Sequence, residues 1–233
     1  MRFKHLKHIF FDLDHTLWDH DRNSTETLIQ LYERYGLESL GLKPLKKFID
    51  SFHRANLKVW DLFQESTINR HELRHKRLEL VFNDFGLENQ IIDCFHEDYY
   101  TLCSRSIHLI NGAIEVLDVL KGKYKLHIIT NGFDDAQYSK MDSSGLSPYF
   151  DTVTTSETAG SKKPEKEYFD FALLHAGAKK ESSLVIGDGL KTDVAGAVNY
   201  GLDVIWFNDA YKTSHLPNVL EVRHLKELIG LLG

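Results

Sequence analysis

The sequence predicts an α/β fold, a doubly wound parallel sheet of Rossmann-like design with an all-helical domain inserted into it. Three observations carry that expectation. From about residue 110 onward, short apolar runs alternate with segments of helical period, the pattern of βαβ units in a parallel sheet. Those runs are apolar almost throughout, as strands covered by helices on both faces must be. Between Ser24 and Ser104, by contrast, strand-like alternation is scarce and helix-period segments follow one another.

The elements follow in order. Ile9, Phe10, Phe11 and Leu13 surround Asp12 in a short apolar run that passes into Asp14-His15-Thr16, which predicts a buried strand running out into polar residues. Helix starts are expected near Ser24, Pro44 and Asn69, and another from about Asn89. The clearest helix is Asn69 to Phe85, where Leu78, Val81, Phe82 and Phe85 recur at i, i+3, i+4 and i+7. Ala113 to Leu120 predicts a helix stopped near Gly122, and Leu126 to Thr130 a strand. Asp134 to Ser144 predicts a helix closed at Gly145, residues 150–155 a strand, and Glu165 to His175 a helix ending near Gly177. A strand at Leu184–Gly187, a helix at Thr192–Tyr200, a strand at Val204–Phe207 and a last helix at His224–Leu231 complete the pattern. The expected domains are a core of residues 1–18 and 108–233 and a helical domain of residues 19–107.

The 233 residues give room for one ordinary domain and a substantial insertion. With 42% hydrophobic and 27% charged residues the composition is that of a globular chain. Lys and Arg number 28 against 34 Asp and Glu, a net charge of −6, so the basic footprint of a nucleic-acid binder is absent and no nucleic-acid partner is expected. No apolar run approaches the roughly 18 residues of a membrane-spanning helix, so no membrane partner is expected either. The opening MRFKHLKHIFF lacks the small-residue cleavage pattern of a secretory signal. Two cysteines, Cys94 and Cys103, are too few for a disulfide-built fold, and a cytoplasmic location is expected. The oligomeric state, monomer or homodimer, is left open.

Ligands of open parallel sheets bind beyond the carboxyl ends of the strands. The expected strands deliver Asp12, Asp14 and Thr16 at the first end, Thr130, Asn131 and Gly132 at the second, and Gly187 and Asp188 at the third, with Asp193 just beyond. A loop between the last two brings Gly160, Lys162, Lys163 and Pro164. Asp12 and Asp14 share a face if the strand continues; if it turns, a backbone carbonyl can share the site instead. With Asp188 they form a hard-oxygen cluster suited to Mg²⁺. Thr130, nearby backbone N–H groups and Lys163 supply donors and positive charge for a phosphate. A metal, a phosphate clamp and a spare carboxylate nucleophile describe phosphoryl transfer.

These residues carry a resemblance. Phe10-Phe11-Asp12-Leu13-Asp14-His15-Thr16-Leu17, Ile128-Ile129-Thr130-Asn131-Gly132, Gly160 with Lys163-Pro164 and Phe169, and Ile186-Gly187-Asp188 with Asp193 together resemble the four motifs of the haloacid dehalogenase-like phosphatases, in the same order. The resemblance implies that Asp12 is the nucleophile that forms an aspartyl-phosphate. It implies that Asp14 protonates the leaving oxygen, then activates water, and binds Mg²⁺ through its backbone carbonyl. Thr130, with the backbone near Asn131, would hold the phosphoryl group, and Lys163 would neutralise charge and steady Asp12. Asp188 would ligate Mg²⁺ with Asp12 and Asp14, and Asp193 would support Lys163 or the outer shell of the metal. Of two candidate lysines, Lys163 is preferred over Lys162 because it directly precedes Pro164. Dehalogenases of the family usually lack the second aspartate, so Asp14 favours phosphate chemistry.

The helical insertion resembles the mobile cap of that family, with hinges near residues 18–23 and 104–112. A cap suits a small phosphorylated metabolite as substrate. Arg22, Asn23, His53, Arg54, Lys58, Trp60, Arg74 and Arg77 are candidates to face it. The run from Phe11 to Asp19, followed by Asn23-Ser24, with Ser156-Glu157 before Gly160, is similar to a group of bacterial nucleotidases acting on pyrimidine and noncanonical nucleoside 5'-monophosphates. The alternatives are a sugar-phosphate, phosphoglycolate or sialic acid 9-phosphate phosphatase, or a phosphomutase. Trp18, Phe52, Trp60 and Phe63 could stack a base or form the cap's own core. Two motifs are set aside. His71-Glu72-Leu73-Arg74-His75 matches HExxH but sits among Arg70, Arg74, Lys76 and Arg77, which repel Zn²⁺. Residues 187–192, GDGLKT, lack the frame of a triphosphate-binding loop.

Overall fold

A computed structural model describes residues 3, 5–87, 92–213, 216 and 219–233. The chain divides into two compact units, Met1–His20 with Ile107–Gly233, and Asp21–Ser106. The first is built on a six-stranded sheet in the order β3-β2-β1-β4-β5-β6. The strands are β1 (His8–Phe11), β2 (Lys125–Ile129), β3 (Thr152–Thr154), β4 (Ser183–Gly187), β5 (Asp203–Phe207) and β6 (Leu220–Val222). Every pairing is parallel. All four residues of β1 are buried, as the centre of a sheet covered on both faces requires. On one face Phe10, Val185, Ile129 and Trp206 pack with Tyr168, Phe169 and Ala197 from the helices.

Strand order reverses at β1: the chain adds β2 and β3 outward on one side of it and then β4, β5 and β6 outward on the other. That is where an open α/β sheet has its crevice. Phe11 is level with Ile128 on one side and Ile186 on the other, so the residues just past those three strand ends emerge together.

The helices of this unit are α5 (Ala113–Leu120), α6 (Asp134–Ser143), α7 (Ser156–Ala159), α8 (Lys166–Ala176), α9 (Ala195–Tyr200) and α10 (Glu227–Leu232). Several bounds differ from expectation for local reasons. The helix expected from Thr192 instead begins with a wide turn over Leu190–Val194, where Val194 N donates to Gly189 O at 3.1 Å. The final helix begins at Glu227 rather than His224; Glu227 Oε1 accepts from the N–H groups of Arg223 and His224, both at 2.8 Å, and so holds those residues in the turn that leads into the helix. Strand β6 and the one-turn α7 are not among the sequence expectations. Three residues centred on Glu221 are too few to show a period.

The second unit is helical. It takes in most of α1 (His20–Arg34), with α2 (Leu45–Gln64), α3 (Arg70–Asp84) and α4 (Ile92–Cys103). Asn69 and Glu72 form a reciprocal capping box at the start of α3. Helix α1 starts four residues before Ser24, which is no cap; its hydroxyl lies inside the helix, 2.8 Å from Tyr99 Oη. The start expected at Asn89 lies outside the described residues. Phe48, Phe52, Val59, Leu78, Val81, Phe82 and Phe95 are all buried and form the bundle core. Among the described residues no helix is long and apolar enough to cross a membrane.

One buried histidine gives the fold a pH dependence. His127 stands in the middle of β2 with Nε2 3.0 Å from His8 Nδ1 and Nδ1 2.9 Å from Thr152 Oγ1. Burial, followed by the neighbouring His8, pushes its pKa down to about 4. An unfolded histidine takes its proton near 6.5. Between those values the unfolded chain holds a proton that the fold refuses, so stability is complete above about pH 6.5 and falls as pH drops toward 4. The ceiling is about 1.4 kcal/mol per pH unit. His127→Gln should therefore flatten the change in urea midpoint between pH 7 and pH 5. An unchanged slope would assign the dependence to other groups.

Candidate active site

Asp12 leaves the end of β1, its N–H still bonded to Ile186 O at 2.9 Å. Its carboxylate is nearly buried and sits against a fully enclosed lysine. Lys163 Nζ donates to Asp12 Oδ1 at 2.5 Å and to Ile129 O at 2.9 Å, and lies 2.6 Å from Asp193 Oδ1. Desolvation works against its charge, but Asp12 and Asp193 outweigh it and raise the ammonium above its ordinary range. Of the two adjacent lysines, then, it is Lys163 that enters the crevice. Lys162 lies 3.9 Å from the partly exposed Glu165.

Thr16 ties two strand ends together. Its hydroxyl donates to Asp12 Oδ2 at 3.4 Å and accepts from Asp188 N at 3.1 Å. Beyond β4, the wide turn folds Asp193 back so that its Oδ2 accepts from Gly189 N at 2.9 Å. Gly187 is required here for space. A Cβ on it would lie 2.6 Å from the Asp193 carboxylate carbon. Trp206 Nε1 donates to Asp188 O at 3.0 Å and holds the loop from β5.

Asp12, Asp188 and Asp193 each place one carboxylate oxygen within 4.8 Å of the others. Burial is the main force raising Asp12 well above the usual carboxylate range. Lys163 opposes it, while Asp193 and Asp188 add repulsion. Burial and then Asp193 push Asp188 up to about 7. Crowded hard-oxygen donors with excess negative charge are what a divalent cation such as Mg²⁺ relieves. Asp193 is the most enclosed of the three, its side chain 2% exposed against 10% for Asp12 and 20% for Asp188, which leaves Asp12 and Asp188 as the carboxylates best placed to hold one.

On the other side of β1, Thr130 is buried at the end of β2, and its Oγ1 accepts from Gly132 N at 3.0 Å. The Asn131 side chain clamps the lysine loop. Its Oδ1 accepts from Lys163 N at 2.7 Å, and its Nδ2 donates to Lys163 O at 2.9 Å. Tyr168 Oη donates to Thr130 O at 3.1 Å and Thr154 O at 2.7 Å, pinning the same strand end from α8.

The Asp14 carboxylate turns elsewhere. Lys140 Nζ donates to both of its oxygens, at 2.7 and 2.8 Å, and Gln137 Nε2 to Oδ2 at 3.1 Å. His20 Nδ1 lies 3.5 Å from Oδ1. Burial acts to raise Asp14, but Lys140 and then His20 overcome it and hold the carboxyl well below its usual range.

Of the residues singled out in the sequence, Asp12, Lys163, Asp188 and Asp193 thus converge in one cluster. Thr130 and Asn131 border the cluster, and Asp14 faces a separate set of donors. The sequence did not point to Thr16 as a bridge, nor to Lys140, Gln137, His20 or Tyr168. In the helical unit, Phe52 is buried against the ring of Tyr99, with the Arg77 guanidinium 4.9 Å from the first ring and 4.8 Å from the second. Glu72 of the HExxH run is spent on the α3 cap. Among the described residues no cluster of three potential metal ligands includes a histidine.

A family model described as haloacid dehalogenase-like hydrolase matches residues 9–207. The chain belongs to that family. A pyrimidine 5'-nucleotidase, PynA of Streptococcus pneumoniae, is 31% identical over 90% of this chain and 86% of its own. A glyceraldehyde 3-phosphate phosphatase of Pyrococcus furiosus is 27% identical over 94% of this chain and 93% of its own. Among solved structures, the magnesium-bound haloacid dehalogenase-like hydrolase YfnB of Bacillus subtilis superposes with a TM-score of 0.87 at 29% identity, covering 97% of this chain and 98% of that one.

Proposed function

We propose that the protein is a Mg²⁺-dependent phosphomonoester hydrolase working through an aspartyl-phosphate on Asp12, with nucleoside 5'-monophosphates as its substrates. The observation that carries this reading is the Asp12 carboxylate, fixed at the crevice end of β1 by a buried lysine, with a second carboxylate two residues on. An Asp12 oxygen attacks phosphorus and the ester P–O bond breaks. Asp14, which must first take up a proton against the pull of Lys140, gives it to the departing alcohol oxygen. Water then attacks the phosphorus of the acyl phosphate, Asp14 takes a proton from it, and inorganic phosphate leaves with Asp12 restored. Thr130 and the turn at Asn131 hold the phosphoryl oxygens, and Lys163 keeps Asp12 oriented and offsets developing charge. Asp12, Asp188 and the Asp14 carbonyl would hold Mg²⁺, which supplies positive charge that lets these carboxylates remain ionised beside a phosphate.

The nucleotide assignment rests on PynA and on the motif likeness, and the Pyrococcus phosphatase keeps sugar phosphates in view. The helical unit fits a cap that selects the leaving group. The two free thiols, Cys94 and Cys103, fit a reducing compartment such as the cytoplasm.

The deciding assay is initial-rate phosphate release with Mg²⁺ across a panel of nucleoside 5'-monophosphates, sugar phosphates, phosphoglycolate and sialic acid 9-phosphate. Turnover should peak on pyrimidine monophosphates, vanish on chelation and return with Mg²⁺. A peak on another phosphomonoester would replace the substrate and keep the chemistry. No phosphate release from any member would overturn the reading.

A further inference from the structure

We infer that Lys140, helped by Gln137, is the positioning residue for Asp14, holding the carboxylate where it meets the leaving-group oxygen. The inference rests on the proposed role of Asp14 as proton donor and acceptor. Its own support is geometric. Asp14 lies on a tight loop in which His15 N donates to Trp18 O and Trp18 N to Leu13 O, both at 2.9 Å, and His15 has a φ of 62°. The loop fixes the backbone but leaves the carboxylate free to rotate. Lys140 removes that freedom by reaching both oxygens, at 2.7 and 2.8 Å, and Gln137 adds a third donor at 3.1 Å.

Helix packing alone does not call for a lysine there. Lys140 is 7% exposed, with its ammonium 4.5 Å from the centre of the buried Trp18 ring. A methionine would fill that space without desolvating a charge. The space around Gln137 is shaped for the same contact. A Cβ on Gly132 would sit 1.8 Å from Gln137 Nε2, so the missing side chain leaves the path to Asp14 open. Gln137 and Lys140 lie one turn apart on α6, which starts two residues after the Thr130-Asn131-Gly132 turn ends. One rigid helix therefore joins the turn that would grip the phosphoryl group to the carboxylate that would serve its ester oxygen.

A proton donor matters in proportion to how poorly the leaving group departs without a proton. Lys140→Met should lower kcat/KM about 100-fold for the best alkyl phosphate of the panel, by less for phenyl phosphate, and least for p-nitrophenyl phosphate, whose leaving group needs no proton. Lys140→Arg should recover part of the loss. Gln137→Leu should show the same ordering at smaller size, and it carries the test if Lys140→Met does not fold. Asp14→Asn serves as the reference. Equal losses on all three substrates in the Lys140 and Gln137 variants, with the graded loss present in Asp14→Asn, would overturn the positioning role alone. An ungraded loss in Asp14→Asn would instead overturn the assignment of Asp14, and this inference with it.

Discussion

Asp12→Asn is expected to reduce phosphate release by roughly 10⁴-fold or more while the protein stays folded. The substitution keeps the shape of the side chain and takes away the charged oxygen that would attack phosphorus. Lys163 retains Asp193 at 2.6 Å and Ile129 O at 2.9 Å, so its ammonium remains compensated and the end of β1 keeps its place. The measurement is phosphate release with Mg²⁺ on the best substrate, beside a thermal melt. Near wild-type turnover in a folded variant would falsify the nucleophile assignment.

Lys163→Ala should damage both activity and stability, and far more than Lys162→Ala does. Removing the buried ammonium leaves Asp12 and Asp193 facing each other without a counter-charge, and breaking a buried pair in this way typically costs about 3–5 kcal/mol. Turnover should fall at least about 100-fold, because the charge that steadies Asp12 goes with it. At Lys162 the ion pair is long, at 3.9 Å to Glu165, and no carboxylate of the cluster depends on it, so its loss should cost clearly less than that of Lys163. Urea midpoints and kcat for the two variants, measured side by side, check this. Equal effects would mean that the buried contacts of Lys163 carry no special weight.

Much of this architecture is legible in the sequence because parallel strands write simple signals. An apolar run that stops at an aspartate or a threonine marks both a strand and its functional end, as at Asp12, Thr130 and Asp188. Lys163 is legible only through its motif, since spacing gives no reason to choose it over Lys162. The donors around Asp14 left no comparable mark. Lys140 and Gln137 sit in a helix whose polar residues look like an ordinary wet face, and nothing local reveals that these two are buried. Their partner lies 126 and 123 residues away in the chain. Strand β6 was missed for a related reason, since its three residues are defined by pairing with β5 more than by their own pattern. The π-turn at Leu190–Val194 arises from the Asp193 carboxylate folding back on Gly189, a tertiary contact that helical periodicity does not encode.

The position of β1 has a consequence for how the molecule can fail. Asp12, Thr130 and Asp188 sit at the ends of three adjacent interior strands, and the ladder holds the first two directly, through Asp12 N to Ile186 O and Thr130 N to Thr154 O, both at 2.9 Å. Strands so placed belong to the last cooperative unit of a protein to open. The strand-end part of the proposed chemistry therefore has no soft spot of its own within this unit. Fraying at β6 or at the last helix leaves it intact, and whatever loosens it has loosened the whole sheet.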